Sequence, residues 1–502
     1  MTTATGTDLR ATLLDTTRPV WIVRDGNGVG VTSDEGVAAR SQVLTAVGPL
    51  APLGDSSFRA FHGVRANYAA GAMANGIASP ALVIAMARAG YLAAYGAAGV
   101  VPARVDAALA QLSGTLGDLP YACNLIHSPS ELALERAVVD ACLRHNVRCV
   151  EASAFMDLTP EVVRYRAAGL TATGERRHRL IAKVSRVEVA EKFLRPAPAA
   201  ILRRLVEGGD ITAEQARLAE QVPMADDITA EADSGGHTDR RSLVVLLPEL
   251  LAARDRIAPS VRIGAAGGIG TPSAAAAAFA LGAAYVVTGS INQATLEAEQ
   301  CDTTKQLLTS AATADTTMAP CSDMFELGVQ VQVLKRGSMF APRAHKLYDT
   351  YRRYAGLHDI PADLRADLER TLFQRSLDEV WDDCVGYFTE RDPAQLAAAN
   401  DPKHKMALVF RWYLGLSSGW SIRGDAARVA DYQIWCGPAM GGFNAWVAGT
   451  YLAALRNRAV ADIADQMMCG AAYLTRVATL RAAGLRLPAE LANYVPTPIE
   501  AR

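Results

Sequence analysis

The chain has 502 residues, half of them hydrophobic and a fifth charged, which is the balance of a soluble globular protein with room for a barrel-sized core. The formal net charge is −2, so no global field points to nucleic acid or anionic membrane as a partner. No uncharged apolar run reaches the roughly 18 residues of a membrane span, and the N-terminus lacks the basic patch and apolar stretch of a signal peptide.

Residues 1–56 are expected to form a small β cap. Pro19–Arg24 and Val29–Thr32 are β-like, and Asp25-Gly-Asn-Gly28 between them is a hairpin signal. From about residue 57, short apolar runs alternate with helical segments such as Ser130–His145 and Ser242–Arg256. That alternation implies parallel strands with crossover helices. Strands are predicted near Arg65–Gly71, Tyr91–Ala94, Tyr121–Leu125, Cys149–Ser153, Leu180–Val184, Ile228–Glu231, Arg262–Ala265 and Tyr285–Thr288. Eight such units predict an α/β fold of the (β/α)8 TIM-barrel type over residues 57–310. A doubly wound open sheet is the competitor. The barrel is preferred because candidate site residues follow strand after strand, not one switch point.

The Ala-rich run from Pro272 to Ala284 reads as a buried helix. Beyond about residue 310 the strand pattern stops. Residues 311–430 are expected to be a helical substrate or lid region, with a loop between Thr389 and Pro402. Residues 431–502 are expected to be helices packing back on the barrel. The eight cysteines (123, 142, 149, 301, 321, 384, 436, 469) form no C-x-x-C pair, which suits free thiols in a reducing cytoplasm and leaves a metal site without support.

Four segments could carry chemistry. Gly264-Ala-Ala-Gly-Gly-Ile-Gly270 ends one predicted strand, and Thr271-Pro272 opens the next helix. Val286-Val-Thr-Gly-Ser290 ends the following strand in the same style. Glycines let backbone N–H groups approach an anion, and paired turns on the last two strands are where this barrel binds phosphate. Either turn alone reads equally well as a tight connection without a ligand. The second segment is Glu231-Ala-Asp-Ser-Gly-Gly-His237, a polar loop whose His would reach the barrel mouth to donate a hydrogen bond or a proton. Third, Asn124 and Lys183 sit at strand ends. A Lys among apolar residues needs a partner. Either a bound ring or phosphate is that partner, or the Lys snorkels to solvent or pairs with Glu151 on the neighbouring strand. Last, Asp401-Pro-Lys-His-Lys405 and the aromatic stripe after it either meet an acidic partner and line a channel, or form a solvated helix start and core.

In this order the segments resemble the PfaD-type trans-acting enoyl reductases, relatives of flavin-dependent enoyl reductases and nitronate monooxygenases. The resemblance rests on Cys123-Asn124, Glu231-Ala-Asp-Ser-Gly-Gly-His-Thr-Asp239, Ala266-Gly-Gly-Ile269, Thr288-Gly-Ser290, Lys405-Met-Ala-Leu-Val-Phe-Arg-Trp-Tyr-Leu414 and Asp431-Tyr-Gln-Ile-Trp-Cys-Gly-Pro-Ala-Met440. Two positions depart from the wider superfamily. Asp233-Ser234 lengthens the His loop, and Ser290-Ile291 stands where Thr-Arg is usual.

The resemblance implies FMN at the barrel mouth. Its phosphate would lie on Gly267, Gly268, Gly289 and Ser290. Ala72, Met73, Asn124, Glu151, Lys183, Gly236 and Thr288 would border the cofactor. Catalytic roles would fall to His237, as polariser or proton donor, and to Lys183, as a charge tuning the reduced ring. The implied reaction takes hydride from NADPH (or NADH) to an enoyl thioester on an acyl carrier protein, alongside other proteins of a polyketide or polyunsaturated fatty acid synthase. Three rivals stand beside it: a nitronate monooxygenase-like oxidoreductase, a non-catalytic synthase scaffold, and a flavin-free barrel for a phosphorylated sugar.

Overall fold

The computed structural model describes every residue except 1–6, 26–27, 51, 128–131, 237 and 499–502. Short runs dominated by Val, Ile, Leu and Ala, with single polar residues, suit strands buried on both faces, the environment of a parallel sheet. Eight such runs form the barrel: β4 Tyr68–Ala70, β5 Leu92–Tyr95, β6 Ala122–Ile126, β7 Cys149–Ser153, β8 Arg179–Val184, β9 Asp227–Glu231, β10 Arg262–Ala266 and β11 Val286–Thr288. They follow the cap strands β1 Val20–Asp25, β2 Gly28–Thr32 and β3 Gln42–Val47, and precede β12 Thr316–Pro320 and β13 Gln330–Leu334. The barrel is closed in the order β10-β11-β4-β5-β6-β7-β8-β9, with parallel pairing throughout. The TIM barrel expected from the sequence is therefore present, and the open sheet is excluded.

The lower barrel is filled by Phe58, Leu92, Ile181, Tyr285 and small residues such as Ala69, Ala94 and Ala122. Phe58 comes from the helix Ser56–His62, which closes the floor, and its ring stacks on Tyr285 at 4.2 Å. Beside it lies an ion network. Asp227 accepts from Arg262 Nη2 at 2.9 Å and lies 2.8 Å from His62 Nε2. Asp226 binds Arg166 through both oxygens, at 2.7 and 2.9 Å. Charge at the N-terminal face of such a barrel reads as stability, not catalysis.

Two compact units emerge. The first joins the barrel, the cap and the C-terminal segment from Gly442. Within it the helix Val460–Ala482 packs on Pro272–Ala280 and on Pro80–Arg88, the helices after β10 and after β4. It thus occupies the place of the eighth barrel helix. The close approach is permitted by Gly470, where a Cβ would lie 2.7 Å from the Pro272 ring. The same helix carries the cap: Tyr473, Val477 and Leu480 meet Leu9, Leu13, Val20 and Ile22. Arg476 also donates to the carbonyls of Asp15, at 2.7 Å, and of Arg18, at 2.5 Å.

Residues 299–441 form the second unit together with 234–237. They are inserted in the chain between the last strand and the last helix of the barrel. Contrary to the sequence expectation, a strand pair survives beyond residue 310: β12 and β13 are an antiparallel hairpin. Five-residue strands, one ending in Pro320, gave too short a period to read. The cap gains a third strand, β3, on the edge beside β1. The stretch expected as a loop up to Pro402 contains the helix Pro393–Ala398, capped by Asp392. The helix Pro402–Arg423 carries Phe410 and Tyr413 into a core with Phe340 and Phe373. Within this unit, buried Asp431 gathers Tyr413 Oη at 2.6 Å, Arg428 at 3.2 Å and Arg343. The aromatic stripe read in the sequence is therefore core. Among the described residues no helix is long and apolar enough to cross a membrane, and none forms a metal-holding cluster.

Candidate functional site

The C-terminal ends of the barrel strands converge on one face, and the candidate residues lie there in chain order. β10 and β11 are direct neighbours, with Ala265 opposite Val286 and Ala266 opposite Val287. The two glycine turns that follow them are therefore adjacent. Gly267 and Gly268 take φ values of +87° and +72°, conformations that a side chain disfavours. A Cβ on Gly267 would also lie 2.6 Å from the Ala232 carbonyl carbon, so that turn packs tightly on the end of β9. Gly268 and Gly289 have nothing within 4 Å of where a Cβ would stand. Thr271 caps the next helix, accepting from the Ala274 N–H at 3.2 Å, with Pro272 in the first turn. Ser290 opens the short 3-10 helix Ser290–Ala294.

Gly264, at the start of the same motif, has another purpose. It lies under the Tyr285 ring and takes no part in the turn.

At the end of β11, Thr288 is buried. Its hydroxyl meets Tyr68 Oη at 2.6 Å and accepts from Asn292 Nδ2 at 3.0 Å. Burial drives the Tyr68 phenol well above its ordinary range, so it stays a neutral hydrogen-bonding group. Thr288 fixes the strand end that carries Gly289. On the neighbouring strand end, Gly71 N–H donates to the Thr288 carbonyl at 2.9 Å, and across the barrel Ala72 N–H donates to Glu151 Oε1 at 3.1 Å. Met73 is buried, and its carbonyl stands where a Cβ on Gly96 would be. The ends of β4 and β5 are thereby locked together.

Three charged groups meet on three neighbouring strands. Lys183 of β8 lies between Glu231 of β9, at 2.9 Å, and Glu151 of β7, at 3.7 Å. Burial opposes the Lys183 ammonium, but Glu231 and then Glu151 outweigh it, and its pKa is raised above the ordinary value. Burial pushes the Glu151 carboxyl up, against the pull of Lys183 and the Ala72 N–H. Asn124 adjoins this cluster. Its amide donates to the Glu151 carbonyl at 3.0 Å and to Ser153 Oγ at 2.9 Å.

The structure thus brings Ala72, Met73, Asn124, Glu151, Lys183, Gly267, Gly268, Thr288, Gly289 and Ser290 to one end of one barrel. Gly236 is exposed and belongs to the second unit, and His237 lies outside the described residues. Glu231 was read from the sequence only as part of a motif. Its partnership with Lys183 depends on the pairing of β8 with β9, and on their ends, which a local pattern does not carry.

Comparisons with known proteins agree with this fold. The nitronate monooxygenase family model matches residues 60–341. The family described as [acyl-carrier-protein] S-malonyltransferase, inserted helical domain, matches residues 354–432. A polyunsaturated fatty acid synthase polypeptide of Thraustochytrium sp. is 44% identical over 491 residues, 94% of this chain and 33% of that protein. Polyketide biosynthesis protein PksE of Bacillus subtilis is 44% identical over 433 residues, 84% of this chain and 56% of that protein. The chain therefore spans about a third of the length of the synthase polypeptide and about half that of PksE. Among solved structures, the enoyl reductase domain of MlnA, from the macrolactin cluster of Bacillus amyloliquefaciens, is 37% identical. It superposes with a TM-score of 0.80 over 86% of this chain and 99% of that one. This chain belongs to the PfaD-type enoyl reductases, within the nitronate monooxygenase-like barrel superfamily.

Proposed function

We propose that the protein is an FMN-dependent enoyl reductase acting in trans on α,β-unsaturated thioesters carried by an acyl carrier protein. One observation carries the reading: two glycine turns on neighbouring strand ends, each with open space over a glycine, beside a buried Lys–Glu cluster. Backbone N–H groups at such turns suit a monophosphate. Ala69, Ala94 and Ala122 make the core below the mouth apolar, and their small side chains would not crowd a flat ring.

The residues fit FMN. Gly267, Gly268, Gly289 and Ser290 would hold its phosphate, and Asn124, Lys183 and Glu151 would border its ring. Bound there, FMN would relay hydride from NADPH or NADH to the β-carbon of the thioester. Lys183 would place positive charge beside the ring, moderated by its two carboxylates. Asn124, tied to Glu151 and Ser153, would hold the edge of the site in register. His237 is assigned the proton for the α-carbon, or the polarisation of the thioester oxygen, on its motif. The carrier-protein part of the reading draws on the helical-domain match at 354–432 and on the synthase relatives.

The test is spectroscopic. The purified protein should be yellow, NADPH should bleach it, and an enoyl thioester should restore the colour without oxygen. A colourless protein that refuses added FMN overturns the proposal. A reduced protein that ignores the thioester but consumes a nitroalkane with oxygen replaces it by a nitronate monooxygenase.

A further inference from the structure

We infer that Glu231 is a positioning residue: by holding the Lys183 ammonium at the end of β9, it sets where positive charge falls in the barrel mouth. This deepens the reading of the same site, and only one of its two tests rests on the flavin.

The argument begins with Lys183. Its side chain is about one-eighth exposed (12%), and an ammonium so placed is costly without a carboxylate partner. Two are within reach, and they are not equivalent. Glu151 stands at 3.7 Å, and its Oε1 already accepts from the Ala72 N–H at 3.1 Å. Glu231 stands at 2.9 Å, the distance of a charge-assisted hydrogen bond. Burial also biases Glu151 towards its neutral form, which weakens it further as a partner.

Geometry fixes the preference. Lys183 pairs with Thr229 across the β8–β9 ladder, so Glu231, two residues on, lies at the strand end above it. On the other side, Glu151 is opposite Ile181, also two residues below Lys183 in the β8 register. The flexible ammonium therefore leans up and towards β9. Without Glu231 it would fall back on Glu151, moving its charge from the β9 side of β8 to the β7 side.

The first test needs no flavin. Acetic anhydride labels only the free amine, and labelling of Lys183 is read by mass spectrometry. Glu231→Gln should lower the Lys183 pKa by at least one unit and so raise its labelling about tenfold. Glu151→Gln should raise it less. Unchanged labelling in Glu231→Gln, or a larger rise in Glu151→Gln, overturns the inference.

The second test uses FMN-loaded protein and sulfite, whose affinity for the ring follows nearby positive charge. Glu231→Gln should tighten sulfite binding about tenfold, and this gain should vanish when Lys183→Met is added. A gain that persists with Lys183→Met shows that Glu231 does not act through Lys183. If the protein takes no FMN, the flavin reading fails, and the labelling result still decides the role of Glu231.

Discussion

Tyr285 fills the space that a side chain at position 264 would need. A Cβ on Gly264 would lie 2.3 Å from the ring. The ring cannot simply move, because it stacks on Phe58 and its hydroxyl is 2.7 Å from Thr229 Oγ1. Gly264→Ala should therefore destabilise the barrel by roughly 1–3 kcal/mol through overpacking. Urea denaturation followed by circular dichroism measures this. A variant as stable as the parent would show that the barrel interior yields more readily than its packing implies.

The glycines of the two turns should behave differently. Gly267→Ala combines positive φ with collision against Ala232, so loss of FMN there would mix folding with binding. Gly289→Ala is the cleaner probe. Gly289 has φ −129°, and its Cβ position is open. Stability should stay within about 0.5 kcal/mol, as for an ordinary surface substitution. FMN affinity should fall, because the methyl group would stand where a phosphate approaches the backbone. Fluorescence titration of the apoprotein with FMN and with riboflavin separates the two contributions. Only FMN should be affected.

Asp227 predicts an acid limit to stability. Burial alone would raise its carboxyl, but His62 and Arg262 outweigh burial and hold its pKa below the ordinary 3.8. The folded state thus binds this proton less readily than the unfolded chain. The stabilisation is complete above the ordinary value and is lost as pH falls below it. Asp227→Asn leaves Arg262 without its partner and should cost roughly 3–5 kcal/mol at pH 7. It should also flatten the acid limb of a stability–pH curve measured by thermal melting. An acid limb as steep in the variant as in the parent would assign that loss to other carboxylates.

For His237 the expected result is kinetic. His237→Ala should slow thioester reduction roughly 100-fold or more, the usual contribution of a general acid. Flavin content and the rate of reduction by NADPH should be unaffected. Stopped-flow measurement of the two half-reactions tells them apart. Equal rates in parent and variant would remove the residue from the chemistry.

The barrel was legible because each strand is a short apolar run ending in a turn residue, and the runs recur with helices between them. β10 illustrates this: all five of its residues are buried, and two glycines follow at once. Asn124 was legible for a related reason, as a polar residue at the end of an apolar strand. The hairpin of β12 and β13 was not. Gln330–Leu334 alternates polar and apolar residues over only five positions, too few to separate from its helical surroundings. Glu231 was overlooked as a partner because pairing between charged residues far apart in sequence follows from register. Lys183 and Glu231 become neighbours only once β8 and β9 are aligned. The cap strand β3 was hidden by its composition, which leaves Val43 and Leu44 largely exposed on an edge.

Placing residues 299–441 ahead of the last barrel helix has a consequence for biosynthesis. The ribosome completes all eight barrel strands by Thr288, yet the helix that covers the seam between Pro80–Arg88 and Pro272–Ala280 is made only after the insertion has emerged. Until then Pro80–Arg88 and Pro272–Ala280 lack this helix to pack against, and the N-terminal cap has no Arg476 to hold it. Synthesis of Val460–Ala482 thus supplies in one element both the packing partner of Pro80–Arg88 and Pro272–Ala280 and the anchor of the cap.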